Sequence, residues 1–359
     1  MHVKSLDLLN FRNYRTLSLA LDPGINIFYG ENAQGKTNIL EAVYLAGTSK
    51  SHRGTRDRDM IRMGEGEGHI RMHVDKNGND YRIDMHLRKN KSKGIAIGGI
   101  QIKRASELFG IVNIVFFSPE DLNIIKSGPS ERRRMADRIL CETDRIYLSD
   151  LTQYGKCLIQ RNRLLHDLFA NASLESELPV WDEQLVNYGR RIICKRAEFV
   201  QMLEGIAAEI HADLTGGSER LTLAYEPNVA EGEFAEKVAR CRGTDLKMKS
   251  STVGPHRDDI GIRVNGMDLR LYGSQGQQRT AAISLKLAEI RIIEERIRNK
   301  PVLLLDDVLS ELDRGRQNYL LGNIRDIQTL ITCTGLDEFV KNRFEADRTF
   351  HVVGGRVEA

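Results

Sequence analysis

Eight consecutive residues near the N-terminus have the spacing of a loop that binds phosphate groups. The segment fits the pattern G-x-x-x-x-G-K-S/T and consists of Gly30, Glu31, Asn32, Ala33, Gln34, Gly35, Lys36 and Thr37. The two glycines let the backbone curl so that successive N–H groups face a phosphate. Lys36 can reach the β- and γ-phosphates, and the Thr37 hydroxyl is a ligand for Mg²⁺. The loop therefore predicts a site for ATP with Mg²⁺.

A pair of carboxylates follows an apolar run near the C-terminus. Residues 302–305 are all apolar, and Asp306 and Asp307 come directly after them. Such a run favours a strand buried in the core, and its end brings both acids to the edge of the sheet. We predict that Asp306 binds Mg²⁺, directly or through water. Asp307 is predicted to orient or polarise the attacking water, with Lys36 as a second catalytic residue.

Small residues precede a long helical pattern after position 272. Ser274 and Gly276 offer a hydroxyl and backbone N–H groups at a helix N-terminus, which is a second place for an anion. The segment resembles the signature of ABC ATPases, which normally reads Ser-Gly-Gly-Gln. Gln275 replaces the first glycine of that signature and leaves Ser274 and Gly276 in place. We therefore predict that both residues bind nucleotide and that Ser274 takes part in catalysis.

The elements that must position these groups occur in the order sheet, helices, sheet. A short strand at 25–29 runs into the loop, and a helix follows it at 36–46. Alternating patterns predict antiparallel strands at 68–103, and helical periodicity covers 129–214 with an interruption near 171–179. Further elements are predicted at 221–225 (strand), 232–242 (helix), 258–271 (hairpin), 277–298 (helix), 302–307 (strand) and 330–332 (strand). The fold class is therefore α/β. A discontinuous head is expected at 1–120 and 246–359, with a mainly helical arm at 121–245.

Composition restricts the class of protein only mildly. The chain has 359 residues, of which 41% are hydrophobic and 29% charged. No apolar run approaches the roughly 20 residues that span a bilayer, and the N-terminus lacks the pattern of a signal peptide. We expect a cytoplasmic protein with no membrane partner. The formal net charge of +3 permits nucleic-acid binding but does not by itself argue for it.

Several motifs together resemble the RecF family of DNA replication and repair proteins, across essentially the whole chain. They are LNFRNY at 9–14, GENAQGKT at 30–37, KSHR at 50–53, FSPEDL at 117–122, GPHRDD at 254–259, GSQGQQRT at 273–280 and LLDDVLSELD at 304–313. The resemblance implies a Rad50-like ATPase head with a short helical arm. It also implies an ATP-dependent homodimer, in which the signature of one subunit covers the γ-phosphate held by the other.

The same resemblance implies a biological role. It implies binding of single- or double-stranded DNA without sequence preference, and slow, DNA-dependent ATP hydrolysis as a conformational switch. It further implies recombination mediation in the response to DNA damage (the SOS response), where the protein helps RecA to load at single-strand gaps together with RecR and RecO. Arg12 is expected to contact the nucleotide on the same basis.

Two departures from related ATPases concern hydrolysis. Most relatives with this architecture carry Glu where this chain has Asp307, which is one methylene shorter. ABC transporters usually place a His after the strand that follows the acidic strand, whereas residues 331–334 read ITCT. Thr332 or Thr334 could supply a hydroxyl contact in its place, and fast hydrolysis is not expected.

Three basic clusters leave their role open between solvated surface and DNA-backbone contact. They comprise residues 50–62 (Lys50, His52, Arg53, Arg56, Arg58 and Arg62), residues 132–134 (three arginines), and Lys89, Lys91 and Lys93. Three functions remain in competition. The protein is a DNA-binding ATPase switch, an adaptor in which ATP acts as dimer glue, or the motor subunit of another ABC- or SMC-type complex.

Overall fold

The computed structural model describes residues 1–168, 172–324, 326–335 and 346–358. The chain separates into two compact units. The first comprises Met1–Asp121 and Ile290–Ala359, and the second comprises Leu122–Glu289. No helix in the described part of the chain is long and apolar enough to cross a membrane.

The N-terminal part of the first unit is mostly strands. Its elements are β1 (His2–Phe11), β2 (Tyr14–Ala20), β3 (Ile25–Tyr29), α1 (Lys36–Thr48), β4 (Glu67–Lys76), β5 (Asn79–Arg88), β6 (Gly94–Ile97), β7 (Ile100–Gln101) and β8 (Ile114–Phe117). The predicted strand, loop and helix around the phosphate-binding motif are therefore confirmed.

The second unit is mainly helical. Its elements are α2 (Asn123–Lys126), α3 (Pro129–Thr143), α4 (Arg145–Asp167), α5 (Leu178–Thr215), β9 (Leu221–Glu226), α6 (Phe234–Met248), β10 (Asp259–Val264), β11 (Met267–Asp268) and α7 (Leu269–Tyr272). Helix α8 (Gln275–Ile297) contains the boundary between the units. The first unit then continues with β12 (Val302–Asp306), α9 (Arg314–Asn323), β13 (Thr329–Cys333), β14 (Arg348–Val353) and β15 (Arg356–Glu358).

Two six-stranded sheets form the first unit. One is antiparallel, with strand order β2-β1-β4-β5-β6-β7, and the other has the order β15-β14-β3-β13-β12-β8. In the second sheet β3, β8, β12, β13 and β14 run parallel, so their carboxyl ends meet at one edge. Side chains from both sheets and from α1, including Leu6, Ile39, Met72, Leu304 and Phe350, share one hydrophobic core.

The antiparallel strands follow the alternation of the sequence. Ile83, Met85 and Leu87 of β5 are buried, whereas the residues between them are half-buried. Asn77 and Gly78 have φ of 56° and 80°, which is the left-handed geometry that a tight two-residue turn between β4 and β5 requires. The predicted hairpin is confirmed.

The long helix α5 carries the amphipathic stripe that its periodicity predicts. Leu185, Ile192, Phe199 and Leu203 are all buried. The helix ends at Gly216, whose φ of 60° is the left-handed conformation that commonly terminates helices.

The boundary expected at residue 246 differs from the observed division. Residues 246–289 group with the helical unit, because β10 pairs with β9 along six residues, from Asp259 opposite Glu226 to Val264 opposite Leu221. Ser274 and Gly276 consequently belong to the second unit. The sequence also missed α9, β14 and β15. The hairpin expected at 258–271 is shorter, because the chain turns into α7 after the two residues of β11.

Candidate nucleotide-binding site

The phosphate loop connects β3 to α1, and both of its glycines are required by geometry. Gly30 has φ of 147° and Gly35 has φ of 115°, which side chains rarely adopt. A Cβ at Gly30 would lie 2.4 Å from the Val352 carbonyl oxygen, and one at Gly35 would lie 2.5 Å from the Asn13 side-chain nitrogen. Helix α1 begins at Lys36, so the backbone N–H groups of its first turn lie next to the loop.

Residues in two turns elsewhere in the first unit form hydrogen bonds with the phosphate loop. The Asn13 amide donates to the Gln34 carbonyl at 2.8 Å, and the Tyr14 hydroxyl donates to the Gly35 carbonyl at 3.1 Å. The backbone N–H of Gly354, between β14 and β15, donates to the Gln34 side-chain oxygen at 2.6 Å. The loop is therefore held on both sides by strands distant in sequence. No role was predicted for these contacts, although Asn13 and Tyr14 lie in one of the family-like motifs.

The Lys36 ammonium lies inside the loop. Its Nζ donates to the carbonyl oxygens of Gly30 and Glu31, both at 2.7 Å. Burial lowers the pKa of Lys36, and the nearby charge of Asp307 opposes that shift. The lysine is thus oriented along the loop, as expected for a group that contacts phosphate oxygens.

The two residues predicted to hold Mg²⁺ lie together at the carboxyl edge of the parallel sheet. The Thr37 hydroxyl donates to Asp306 Oδ1 at 2.7 Å, and the Thr332 hydroxyl donates to the same oxygen at 2.8 Å. Asp306 of β12 is directly opposite Thr332 of β13. A carboxylate and a hydroxyl are hard oxygen donors of the kind that Mg²⁺ prefers, so this pair fits the ion.

Asp307 has an unusual backbone conformation at the end of β12. Its φ is 54°, in the left-handed region, and its N–H donates to the Thr332 hydroxyl at 3.0 Å. Asp and Asn tolerate this region better than residues with longer side chains. The geometry thereby gives a physical reason for Asp rather than Glu at this position. Thr332 contacts both acids from within β13, the strand that follows the acidic strand.

Arg12 is held by a buried carboxylate beside the loop. Its Nε and Nη2 donate to the two oxygens of Glu41, each at 2.8 Å, and Glu41 is fully buried. Burial opposes the charge on Glu41, yet hydrogen bonds from Arg12 and Ser51 keep its pKa below the usual range. The contact of Arg12 with a nucleotide stays a prediction.

His52 is a packing residue rather than a surface cation. Its ring stacks on Phe116 with 4.0 Å between centroids, and Tyr44 meets it edge-on. Burial lowers the pKa of His52 to about 4, so the ring is neutral at physiological pH. In contrast, Lys50, Arg53, Arg56 and Arg58 of the same cluster are exposed.

Ser274 caps helix α8 in the second unit. Its hydroxyl accepts from the N–H of Gln277 at 3.2 Å, and the Gln277 side chain accepts from the Ser274 N–H at 3.0 Å. This reciprocal pair is a capping box, which fixes where the helix begins. The preceding Leu271 and Tyr272 are exposed.

The 254–259 segment is a structural hub of the second unit, a role that sequence reasoning did not assign. The Asp258 carboxylate accepts from Arg196 at 3.0 Å and from the Asn228 N–H at 2.9 Å. Asp259 makes a bidentate pair with Arg132 at 2.7 and 2.8 Å, which buries Arg132. Arg132 is therefore not part of an exposed DNA-binding cluster, and of residues 132–134 only Arg134 is exposed.

Comparison with known proteins gives consistent results. The profile of the family described as RecF/RecN/SMC N terminal domain matches residues 2–353. The chain is 60% identical to the DNA replication and repair protein RecF of Agathobacter rectalis over 358 residues, covering 100% of this chain and 99% of that protein. The RecF protein of Lachnoclostridium phytofermentans is 56% identical with the same coverage.

Solved structures agree with this result. The recombination mediator protein RecF with ATP, of the RecFOR pathway, superposes with a TM-score of 0.93 at 36% identity, covering 99% of this chain and 97% of that one. The Smc head domain of Pyrococcus furiosus has a TM-score of 0.58 at 16% identity, covering 99% of this chain and 95% of that one, and shares the fold alone. The predicted ATPase-head fold is thus confirmed, and the chain belongs to the RecF family of DNA replication and repair proteins.

Proposed function

We propose that the protein binds ATP with Mg²⁺ at the phosphate loop and uses it to join two copies on DNA. The observation that carries the proposal is the meeting of Thr37, Asp306 and Thr332 beside the loop that contains Lys36. The ATP-bound RecF structure, 36% identical to this chain, supports the choice of nucleotide. In this arrangement Lys36 would neutralise phosphate charge. Thr37 and Asp306 would hold the metal ion, which would supply further positive charge next to the phosphate groups.

The second half of the nucleotide site comes from a partner copy in this proposal. Ser274 and Gly276 start a helix whose N-terminal N–H groups favour an anion, and the γ-phosphate is such an anion. The exposed Leu271 and Tyr272 next to them offer apolar surface for the same contact. ATP binding would therefore join two subunits, and loss of the γ-phosphate would separate them.

Hydrolysis is proposed to be slow and to serve as the release step. Asp307 orients the water, and its short side chain and left-handed backbone restrict its reach. Thr332 supplies a hydroxyl from β13, whereas ABC transporters usually place a titratable histidine after that strand. Both features favour a timed switch over rapid turnover.

The biological role that we propose follows the family. The dimer binds single- or double-stranded DNA without sequence preference and acts with RecR and RecO to help RecA load at single-strand gaps. The RecFOR pathway named for the solved relatives supports this role. A cytoplasmic location and an SOS connection stay predictions. The family assignment favours the switch and the ATP-glue adaptor over the motor subunit of another complex.

Sedimentation velocity with ATP, ADP and no nucleotide tests the dimer. We expect the wild-type chain to dimerise only with ATP. Lys36→Met should lose ATP binding and the dimer together, because each charge-assisted phosphate contact contributes about 1.5–3 kcal/mol. Ser274→Arg should bind ATP and remain monomeric, with Ser274→Ala as a control for the lost helix cap. A Ser274→Arg chain that still dimerises with ATP would overturn the proposal.

Asp307→Asn separates the switch from the adaptor. The variant should bind ATP and form a long-lived dimer, because the water is no longer activated. If ATP is a switch, the variant fails to support repeated RecA loading on gapped DNA. Full loading activity by the variant would instead favour the adaptor.

A further inference from the structure

Two histidines face each other on the exterior of the antiparallel sheet. His69 of β4 is directly opposite His86 of β5, and their rings stack with 4.2 Å between centroids and 20° between planes. Glu67 is two residues before His69 on β4, so the alternation of the strand places it on the same face. The neighbouring inward residues Ile70 and Met85 are buried, which leaves this trio on the outward face.

The ligand atoms of the trio lie close together. Glu67 Oε2 is 2.8 Å from His86 Nε2, and Glu67 Oε1 is 3.9 Å from His69 Nε2. One ligand atom from each residue lies within 4.8 Å of the other two. Two ligands of one tetrahedral zinc ion are about 3.3 Å apart, given Zn–N and Zn–O bonds of about 2.0–2.1 Å. Small rotations of exposed side chains therefore suffice to bring all three atoms to one ion.

We propose that Glu67, His69 and His86 form a binding site for a divalent cation of the zinc class. Two imidazoles and one carboxylate are a ligand set that Zn²⁺ favours, whereas Mg²⁺ and Ca²⁺ prefer sites built from oxygen alone. The site is separate from the Thr37–Asp306 pair, which offers only oxygen donors. The two sites therefore differ in their ligand atoms and in the metal ions that they prefer.

Two arginines flank the trio, and each donates to a group outside it. The closest arginine on β4, Arg71, pairs with Asp84 at 2.6 Å. Arg88 of β5 is directly opposite Glu67, and its Nη2 donates to the Ser92 carbonyl at 2.8 Å. The remaining charge among the three ligands is the Glu67 carboxylate, which is complementary to a divalent ion.

The site is open to solvent. The side chains of Glu67, His69 and His86 are 59%, 41% and 37% exposed, so an ion can reach them without local unfolding. His69 and His86 border an open groove of about 540 Å³ along β1, β4, β5, β6 and β7. Three protein ligands would leave a fourth coordination position for a water molecule. Binding would also link β4 to β5 and stabilise the sheet.

Competition with a chromogenic zinc indicator tests the site. The full-length chain is used without an affinity tag or nucleotide, and with excess Mg²⁺ to occupy the oxygen site. We expect one Zn²⁺ per chain, and Co²⁺ bound in its place should show visible absorption bands typical of nitrogen–oxygen coordination. His69→Asn, His86→Asn and Glu67→Gln should each weaken Zn²⁺ binding about tenfold or more.

His73→Asn is the matched control, since His73 lies on the same strand and is also partly exposed. It should retain wild-type zinc affinity and the increase in melting temperature on adding Zn²⁺, which His69→Asn should lose. Lys36→Met should bind Zn²⁺ normally, because the proposal is independent of the nucleotide site. No stoichiometric Zn²⁺ binding by the wild type, or equal loss in His73→Asn and His69→Asn, would overturn the proposal.

Discussion

Thr332 connects the two acids of the candidate nucleotide-binding site through one hydroxyl. It donates to the carboxylate of Asp306 and accepts from the backbone N–H of Asp307. A group that orients a metal-binding carboxylate typically affects metal affinity as strongly as 10- to 100-fold. We therefore expect Thr332 to be a positioning residue that acts through Asp306 and Asp307.

Thr332→Val should lower the affinity for ATP with Mg²⁺ by about tenfold, because the isosteric side chain leaves Asp306 without one of its donors. Fluorescence titration with a labelled ATP analogue measures the affinity. Thr329→Val is the control, since Thr329 is buried on the same strand and its hydroxyl donates to the Ile327 carbonyl instead. Equal loss of affinity in both variants would contradict a positioning role for Thr332.

We expect His52 to make the stability of the first unit depend on pH. Burial lowers the pKa of His52 to about 4, compared with about 6.5 in an unfolded chain. The unfolded state therefore takes up the proton first as the pH falls. Stability from the neutral ring is complete above pH about 6.5 and decreases between about 6.5 and 4.

Between pH about 7.5 and 5, we expect the wild-type chain to lose about 2 kcal/mol more unfolding free energy than His52→Gln, which has no titrating ring. Hydrogen exchange of the α1 amides measures the unfolding free energy of the first unit. Tryptophan fluorescence would not report on that unit, because the only tryptophan, Trp181, lies in the second unit. A pH dependence that is identical in both chains would show that His52 titrates normally in the folded state.

At the scale of elements, α5 is fixed to the 254–259 segment by one buried cation. Arg196 of α5 donates to the Pro255 carbonyl at 2.6 Å and to carboxylates of Asp258 and Asp137, both at 3.0 Å. Only 3% of Arg196 is exposed. Removing one partner of such a network leaves buried carboxylates uncompensated, so the loss exceeds the value of a single hydrogen bond.

Arg196→Met should destabilise the second unit by about 3–5 kcal/mol. Arg190→Met on the same helix should cost at most about 1 kcal/mol, because Arg190 and its partner Glu231 are both exposed. Urea unfolding followed by Trp181 fluorescence reports on both, since Trp181 also lies on α5. Similar costs for the two variants would indicate that the Arg196 network contributes little.

At the scale of the whole molecule, four exposed cations of the 50–62 cluster are the candidates for contact with DNA in the proposed function. Lys50, Arg53, Arg56 and Arg58 are exposed, whereas His52 and Arg132 are engaged in packing or ion pairs. A net charge of +3 provides little long-range attraction. Joining two subunits with ATP would double the number of phosphate contacts on one DNA, which links affinity to the dimer.

We expect the affinity for DNA to require ATP, to be independent of the base sequence, and to decrease as the salt concentration rises. Each neutralised phosphate contributes about −0.9 to the slope of log affinity against log salt. About six contacts would then cost on the order of a thousandfold between about 50 and 200 mM salt. Fluorescence anisotropy on unrelated duplexes across a salt series, with ATP or ADP, measures this. Equal affinity with both nucleotides would separate DNA binding from the dimer.

The double variant Arg53→Ala with Arg56→Ala tests which cations contact DNA. Four side chains are lost per dimer, so the salt slope should become shallower by up to about 3.6. Arg240→Ala is the control, because Arg240 is exposed on α6 of the second unit and pairs only weakly with Glu236. An unchanged slope in the double variant would assign the 50–62 cluster to solvated surface.

The sequence alone determined the features that depend on neighbouring residues. Local backbone preferences explain the sharp bends at Gly30 and Gly35 and the helix that begins at Lys36. They also explain the turn at Asn77 and Gly78. The burial of β12 follows from four consecutive apolar residues before Asp306. These predictions hold because φ limits and hydrophobic periodicity act over a few residues.

Only the tertiary structure decided the features that depend on strand register and buried pairing. Asp306 pairs with Thr332 on the neighbouring strand, and the Gly354 N–H donates to the Gln34 side chain. Both contacts join residues from separate parts of the chain. A run of three arginines does not reveal which one is buried, since Arg132 is neutralised by Asp259 far along the chain. Composition and spacing carry no record of such partners, because long-range contacts are chosen by the packing of the whole unit.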